Sequence, residues 1–320
     1  LGYLSLVVPA AAFAWEPTKP VEIIVAAGAG GASDQMARMM QAAIQKNNLM
    51  KQPMVVSLKG GASGAEALMD MTSSAGDPHK VLIAYSLIYI LPLSAKIPFN
   101  WRDLTPVSVI AYDQFLLWDN TTLPHKNVKE FIAAAKGANP PFKMGGTGSK
   151  REDHVLTVFL EKKTGAKFAY LPYKSGGEAA TQLVGNHIQS NVNNPSENLE
   201  VWRAGQVRAL CVFDKERIQY KGKVAGDKSW NDIPTCKEEG VDVQYQMLRA
   251  MFLPGKVTPE QSAFYVSLFE KLTKTPEYKE YMEKQALKPA FLTGKAMLDF
   301  LEKDDALHKN LMTEAGFVAN

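Results

Sequence analysis

The sequence predicts an α/β fold built as two lobes, and three observations predict it. Short β-branched runs are each followed by a glycine cluster and then an amphipathic helix, the alternation of largely parallel strands joined by right-handed crossovers. The alternation begins at Val21 and restarts at Val107. At 320 residues, 46% hydrophobic and 22% charged, the chain is long enough for two medium cores. The same composition excludes collagen-like, coiled-coil and disordered chains. A net charge of +3 supplies no single-sign field for nucleic acid or an anionic membrane.

Taken in order, Val21 to Ala26 reads as a strand leading into Gly28-Ala29-Gly30-Gly31-Ala32-Ser33-Asp34. The helix after it sets Met36, Ala37, Met40 and Ile44 at helical spacing. Met54 to Leu58 leads into Gly60-Gly61-Ala62-Ser63-Gly64 and a helix through Leu68 and Met71; Val81 to Tyr85 is a third strand. In the second round Val107 to Ala111 and Phe115 to Trp118 read as strands, Val128 to Ala135 as a helix, and Phe142 to Met144 as a strand ending in Gly145-Gly146-Thr147-Gly148-Ser149. A helix through Val155, Val158 and Lys162 follows, then a strand at Phe168 to Leu171, the turn Lys174 to Gly177 and a helix from Glu178 to Val184. Ile188 to Val192 and Val207 to Phe213 read as further strands, and Met247 to Leu253 as an apolar segment. Three C-terminal helices start near Thr258-Pro259, Thr275-Pro276 and Thr293-Gly294, the first two with a capping Thr and Pro at the first helical position. The expected division is 15–112 plus 214–320 for one lobe and 113–213 for the other, with the chain crossing near Asp113 and Phe213.

Leu1 to Ala14 is apolar, small and closed by Ala12-Phe13-Ala14, the shape of an h-region with an A-x-A cleavage site. It is read as a truncated secretory signal, with the mature chain starting near Trp15 and exported. Cys211 and Cys236 suit an oxidising compartment if paired and a buried thiol if not; the spacing leaves both open.

Glycine-rich turns at the carboxyl ends of strands expose amides at the positive end of a helix, which suits carboxylate or phosphate. Gly28-x-Gly30 with Ser33 falls short of a dinucleotide fingerprint, and Lys59 stands where an acidic ribose partner is needed. His79, His125, His154, His187 and His308 show no zinc spacing, and no Gly-x-Ser-x-Gly elbow occurs. Glu152-Asp153-His154 reads as a solvated first helical turn. No catalytic residue, metal or cofactor is expected.

An ordered set of motifs spans the whole exported chain. It comprises Trp15-x-Pro17-x-x-Pro20, Gly30-Gly31-x-x-Asp34, Gly60-Gly61-Ala62-x-Gly64, Asp103-Leu104-Thr105-Pro106-Val107, Gly146-x-Gly148-Ser149 with His154, Pro172-Tyr173-Lys174, Asn194-Pro195, and Asp232-Ile233-Pro234-Thr235 with Glu238 and Gly240. Together they resemble the substrate-binding proteins of tripartite tricarboxylate transporters, the Bug family. The resemblance implies a two-lobed periplasmic-binding-protein-like fold of type II, each lobe a mixed sheet flanked by helices, with the ligand cleft between lobes. It also implies a small organic acid as ligand and the large and small membrane subunits of such a transporter as partners. This chain departs from the family pattern at Ala29, where many relatives have Pro, and at Gly185-Asn186-His187-Ile188-Gln189, which lacks the family's acid.

Carried onto this chain, the expected ligand contacts are Gly30, Gly31 and Ser33 from the first loop and Gly146, Thr147, Gly148 and Ser149 from the second lobe. Tyr85 and Ser86 end a strand facing the cleft, Tyr173 walls it, and Asn191 and Asn193 supply neutral polar groups. Lys174 is expected to offer a cation, with Arg151 competing for that role. Asp34 is expected to cap its helix rather than meet an anion. Lobe closure on the acid is the expected mechanism, monomer the expected state, and no nucleic-acid partner is expected. The alternative is a two-domain α/β enzyme that holds a nucleotide phosphate at Gly28–Ser33; a sensor subunit would share the receptor's fold and cleft.

Overall fold

The β-branched runs place alternate or continuous apolar side chains where sheets bury both faces, and they pair into two mixed sheets. The computed structural model describes residues 15–319; the expected signal at 1–14 lies outside them. The first sheet collects β1 (Val21–Val25), β2 (Met54–Leu58), β3 (Lys80–Ala84) and β4 (Thr105–Gln114), with helices α1 (Ala32–Lys46), α2 (Ala65–Ser73) and α3 (Leu87–Ala95) between them. The chain then crosses to β5 (Leu116–Asn120), α4 (Val128–Gly137), β6 (Phe142–Thr147), α5 (Glu152–Thr164), β7 (Phe168–Tyr173), α6 (Gly176–Val184), β8 (Ser190–Asn193), α7 (Pro195–Arg203) and β9 (Val207–Val212). After a small hairpin of β10 (Lys223–Ala225) and β11 (Lys228–Ser229) come β12 (Gln246–Leu253), α8 (Pro259–Thr273), α9 (Pro276–Lys284), β13 (Lys288–Leu292) and α10 (Gly294–Glu314).

The first sheet runs β13-β4-β12-β3-β1-β2. β1 is parallel to β2 and β3, whereas the returning β12 is antiparallel to β3 and β4. The second sheet runs β7-β6-β8-β5-β9, with β6 parallel to its neighbours and β5 antiparallel to β8 and β9. One core lies between β1, β3, α1, α8 and α9. A second runs without a break from Leu68 and Leu82 through Phe115 and Tyr245 to Phe131 and Val155, so both sheets share it. Helix α10 helps to close it, since Phe317 just beyond its end packs on His154 with ring centroids 4.4 Å apart. Thr258 and Thr275 cap α8 and α9 as expected, while Thr293 makes no side-chain cap bond.

The return crossing differs from the expectation. Val212 bridges to Thr235, and Ile218, Ala225, Trp230 and Ile233 pack on Trp118 and Trp202, so the stretch from Ile218 to Thr235 packs against the second sheet. The chain rejoins the first sheet only at Gln246, because the apolar side chains of this stretch have their partners around Trp118. Cys211 and Cys236 form a disulfide around the same stretch, with Cα atoms 4.9 Å apart. Both crossings meet at Asp214, whose Oδ2 accepts from Gln114 Nε2 at 2.6 Å, from Gln246 Nε2 and from Lys288 Nζ at 3.2 Å.

Candidate functional site

Parallel strands end their hydrogen-bonding ladders at one edge, and the loops that follow β1, β2, β3, β6, β7 and β8 meet at that edge between the sheets. They line a cavity of about 400 Å³, within the size range of small-molecule clefts. The first sheet contributes Gly28, Gly31 and Ser33 after β1, Gly60 and Ser63 after β2, and Tyr85 after β3. The second contributes Thr147, Arg151, Glu152 and Asp153 after β6, Lys174, Ser175 and Gly176 after β7, and Asn194 and Glu197 after β8. Phe115 from the first crossing, with Met247 and Arg249 in β12, completes the wall.

The glycine turns do not simply offer amides to an anion. Each has an amide satisfied by a carboxylate a few residues along its own helix, the pairing that favours acids near a positive helix end. Gly30 N donates to Asp34 Oδ2 at 2.7 Å and Gly61 N to Glu66 Oε2 at 3.1 Å; Thr147 N donates to Asp153 Oδ2 at 2.6 Å and Lys174 N to Glu178 Oε2 at 3.0 Å. Asp34 therefore acts as a cap, and it also pairs with Arg38 Nε at 2.8 Å. Glu152 and Asp153 are buried rather than solvated, each 6% exposed, because α5 enters directly beneath the cavity.

Cations are delivered by side chains instead. Arg249, 4% exposed, donates from Nη2 to Asp113 Oδ2 at 2.7 Å and from Nη1 to Ser33 Oγ at 2.8 Å. A lone arginine in an apolar strand needs such a partner, since an unpaired buried charge is expensive. Across the cavity, Arg151 reaches from the start of α5 in the second sheet's half to Tyr85 in the first. Its Nη2 donates to the Tyr85 hydroxyl at 3.0 Å, and that hydroxyl in turn donates to Ala26 O at 3.3 Å. The two guanidinium carbons lie 6.0 and 5.7 Å from the Tyr85 ring centroid. Burial pushes the Tyr85 phenol up, against the pull of Arg151, so it stays a neutral donor and acceptor. Burial also pushes Glu197 up to about 7, opposed by the Asn194 amide that it accepts at 3.0 Å.

Of the residues expected to touch a ligand, Gly31, Ser33, Tyr85, Thr147 and Lys174 line this cavity. Gly30 sits on the outer side of its loop, in an adjoining groove. Gly146 and Gly148 shape the turn behind the wall, while the exposed Ser149 and the half-buried Tyr173 stand outside the lining. A Cβ on Gly146 would fall 2.6 Å from Asp153 Cβ, and Gly148, at φ +69°, receives the Tyr170 hydroxyl on its carbonyl and donates its amide to Tyr173 O. Three expectations need correction. Ser86 is fully buried at the head of α3, and Asn191 and Asn193 point into the interior, where both bond to Asn198 and Asn193 also donates to Gly176 O. The two asparagines are consumed by packing of α7 against β8. Among the described residues no group of three His, Cys, Asp or Glu side chains is placed to hold a metal ion.

Arg249, Glu197 and the buried pair Glu152 and Asp153 are the residues that sequence reasoning missed. A signal existed for Arg249: it is the single charge in the run Met247 to Leu253.

Comparison with known proteins agrees with this architecture. A TctC solute-binding protein from Polaromonas, solved without ligand, superposes with a TM-score of 0.78 at 26% identity, covering 93% of this chain and 99% of that one. An R. palustris protein solved with adipate gives a TM-score of 0.78 at 21% identity, covering 94% of this chain and 98% of that one. The protein BugT of Bordetella pertussis is 32% identical over 208 residues, 63% of this chain and 62% of its own. The sequence model of the tripartite tricarboxylate transporter family receptors matches residues 36–317, and the chain belongs to that family.

Proposed function

We propose that this receptor works in the periplasm, captures a small organic acid in the cleft between its two sheets and delivers it to the membrane subunits of a tripartite tricarboxylate transporter. The observation that carries the proposal is the placing of Arg151 and Arg249, from opposite sides of the cavity, about the Tyr85 ring. Two guanidinium groups beside the hydroxyls of Ser33 and Tyr85 suit planar carboxylates, which accept paired N–H donors. The adipate carried by the R. palustris relative is chemistry of the same kind. Arg151 already bridges the two halves through Tyr85, so an acid drawn between the arginines would gain contacts from both halves only when they are together. That differential is what shifts an open–closed equilibrium. The closed, loaded surface is then the form presented to the transporter.

The first glycine loop is poorly suited to a nucleotide phosphate, because Asp34 already holds the Gly30 amide and would repel it. A thermal-shift screen of the purified protein tests the assignment. An acid at a hundred times its Kd adds about 2.7 kcal/mol, a rise of several degrees in Tm. A shift with succinate, adipate or citrate and none with NADPH or ATP is expected. A nucleotide shift with silent acids would overturn the proposal.

A further inference from the structure

The cleft carries more carboxyls than cations. Glu152, Asp153 and Glu197 line the cavity from the first turns of α5 and α7, with Asp113 behind them, against Arg151, Arg249 and Lys174. Two of those cations are already committed: Arg249 to Asp113 at 2.7 Å, and Arg151 to Glu152 Oε2 at 3.5 Å and the Tyr85 hydroxyl. With every group ionised, an incoming dianion meets a wall that is already net negative.

Two features show that the acids cannot move aside. The Glu197 carboxyl packs on the backbone of Gly176, where a Cβ would fall 2.2 Å from its Cδ. Asp153 is tied to the Thr147 amide at 2.6 Å. Glu152 Oε1, in a side chain 6% exposed on the cavity wall, has no hydrogen-bond partner. A buried acceptor left this way is waiting for a donor.

The groups that face these acids are identifiable. The charges of Asp113 and Arg249 act on Glu197, and that of Glu197 on Asp153; Glu152 and Arg151 act on Asp153, and Glu152 acts in turn on Tyr85, Tyr245 and His308. Burial pushes the phenols of Tyr85, Tyr170 and Tyr245 up and keeps them neutral. His308 is opposed by burial but raised by Asp304, and it is bonded to the Tyr245 hydroxyl at 2.9 Å. Burial, with the Glu197 charge adding to it, pushes Asp153 well above the carboxylate range.

We propose that the cleft binds its acid together with one proton from solvent, held by the trio Glu152, Asp153 and Glu197, which then presents a carboxylic O–H within the site. The idea rests on the receptor function proposed above. The proton cancels the excess negative charge and sets an O–H donor among the acceptors of the trio.

Calorimetric titration of the protein with succinate and adipate, both dianions in the range used, tests it from about pH 6.5 to 8.5 in two buffers of different ionisation enthalpy. The expected result is uptake of close to one proton per acid bound, with Kd weakening by up to about tenfold per pH unit above neutrality. Glu197→Gln is expected to flatten that slope while still binding at alkaline pH, a response that a merely structural role would not produce. Asp153→Asn serves if that variant does not fold, and the two-buffer measurement on the unaltered protein needs neither. Binding with no proton uptake would overturn the proposal and leave the receptor function standing. So would an unchanged slope in both Glu197→Gln and Asp153→Asn, which would put the proton on His308. Tight, pH-independent binding of malate would also overturn it. Failure of every acid, with binding of ATP, would overturn the receptor function itself.

Discussion

Replacing Arg249 with Ala removes the side chain that donates to Asp113 at 2.7 Å and frees Ser33 Oγ from its 2.8 Å bond, at a position 4% exposed. The consequence is a carboxylate left in the interior. Breaking a buried ion pair from one side costs about 3–5 kcal/mol, which lowers Tm by roughly 6–20 °C at about 2–4 °C per kcal/mol. The loss has a pH signature. Burial raises Asp113 in the folded protein and Arg249 pulls it back down, so removing Arg249 lifts it further. An acid whose folded pKa is raised binds a proton more readily folded than unfolded; the stability so gained is present below its ordinary pKa and is lost as pH rises through the raised one. The variant's deficit should therefore be smaller near pH 5 than near pH 7, by up to about 1.4 kcal/mol for each unit of additional shift. Adding Asp113→Asn to Arg249→Ala should recover part of the loss, because both charges are then gone. Urea denaturation of both single variants and the double, at two pH values, gives the cycle. An Arg249→Ala protein within about 1 kcal/mol of the parent, or a double variant as unstable as the sum of the singles, would refute the reasoning.

Other outcomes follow from the same structure. Cys211→Ser with Cys236→Ser opens a loop of sequence separation 25, and urea denaturation should show a loss of about 3.5 kcal/mol by the chain-entropy account. Gly60→Ala would set a Cβ 2.9 Å from the Ala27 carbonyl carbon, which is backbone and cannot turn away; a loss of about 1–3 kcal/mol in thermal denaturation is expected. Tyr85→Phe leaves Arg151 without the hydroxyl it meets at 3.0 Å, and a hydrogen bond to a charged group is worth about 1.5–3 kcal/mol. Acid binding measured by calorimetry should weaken at least tenfold while far-UV circular dichroism stays unchanged.

Much of the architecture is legible in local pattern. Strand-forming runs such as Val21 to Ala26 and capped helix starts such as Thr258-Pro259 carry their own periodicity and punctuation, and they appear where expected. Helix α3 escapes that logic because it is apolar on every side and holds Pro92 inside. Helix α7 has few apolar positions, and its start is set by Asn194, Pro195 and Glu197 rather than by periodicity. The return crossing is invisible locally, since it depends on Trp230 finding Trp118 and Trp202.

The site divides in the same way. Ser33, Tyr85, Thr147 and Lys174 follow strand ends, so topology alone carries them to the cavity. Asn193 follows one too, but whether a side chain turns to the cleft or to a helix is decided by partners distant from it, here Asn198 and Gly176. The acids that satisfy the glycine turns lie four to six residues downstream, as Asp34 does from Gly30 and Asp153 from Thr147. That spacing is legible in the sequence once the amides are treated as donors needing partners.

The central claim is that an acid is held between the two halves by arginines from each. The most direct measurement is the affinity of succinate, adipate and citrate for the protein and for Arg151→Gln, whose parent side chain is 30% exposed and less bound up in the core than Arg249. The account predicts one acid bound per chain in the cleft and a loss of at least tenfold in the variant, with its far-UV circular dichroism unchanged. Equal affinity in the variant and the parent, or binding of ATP with no binding of any acid, would contradict it.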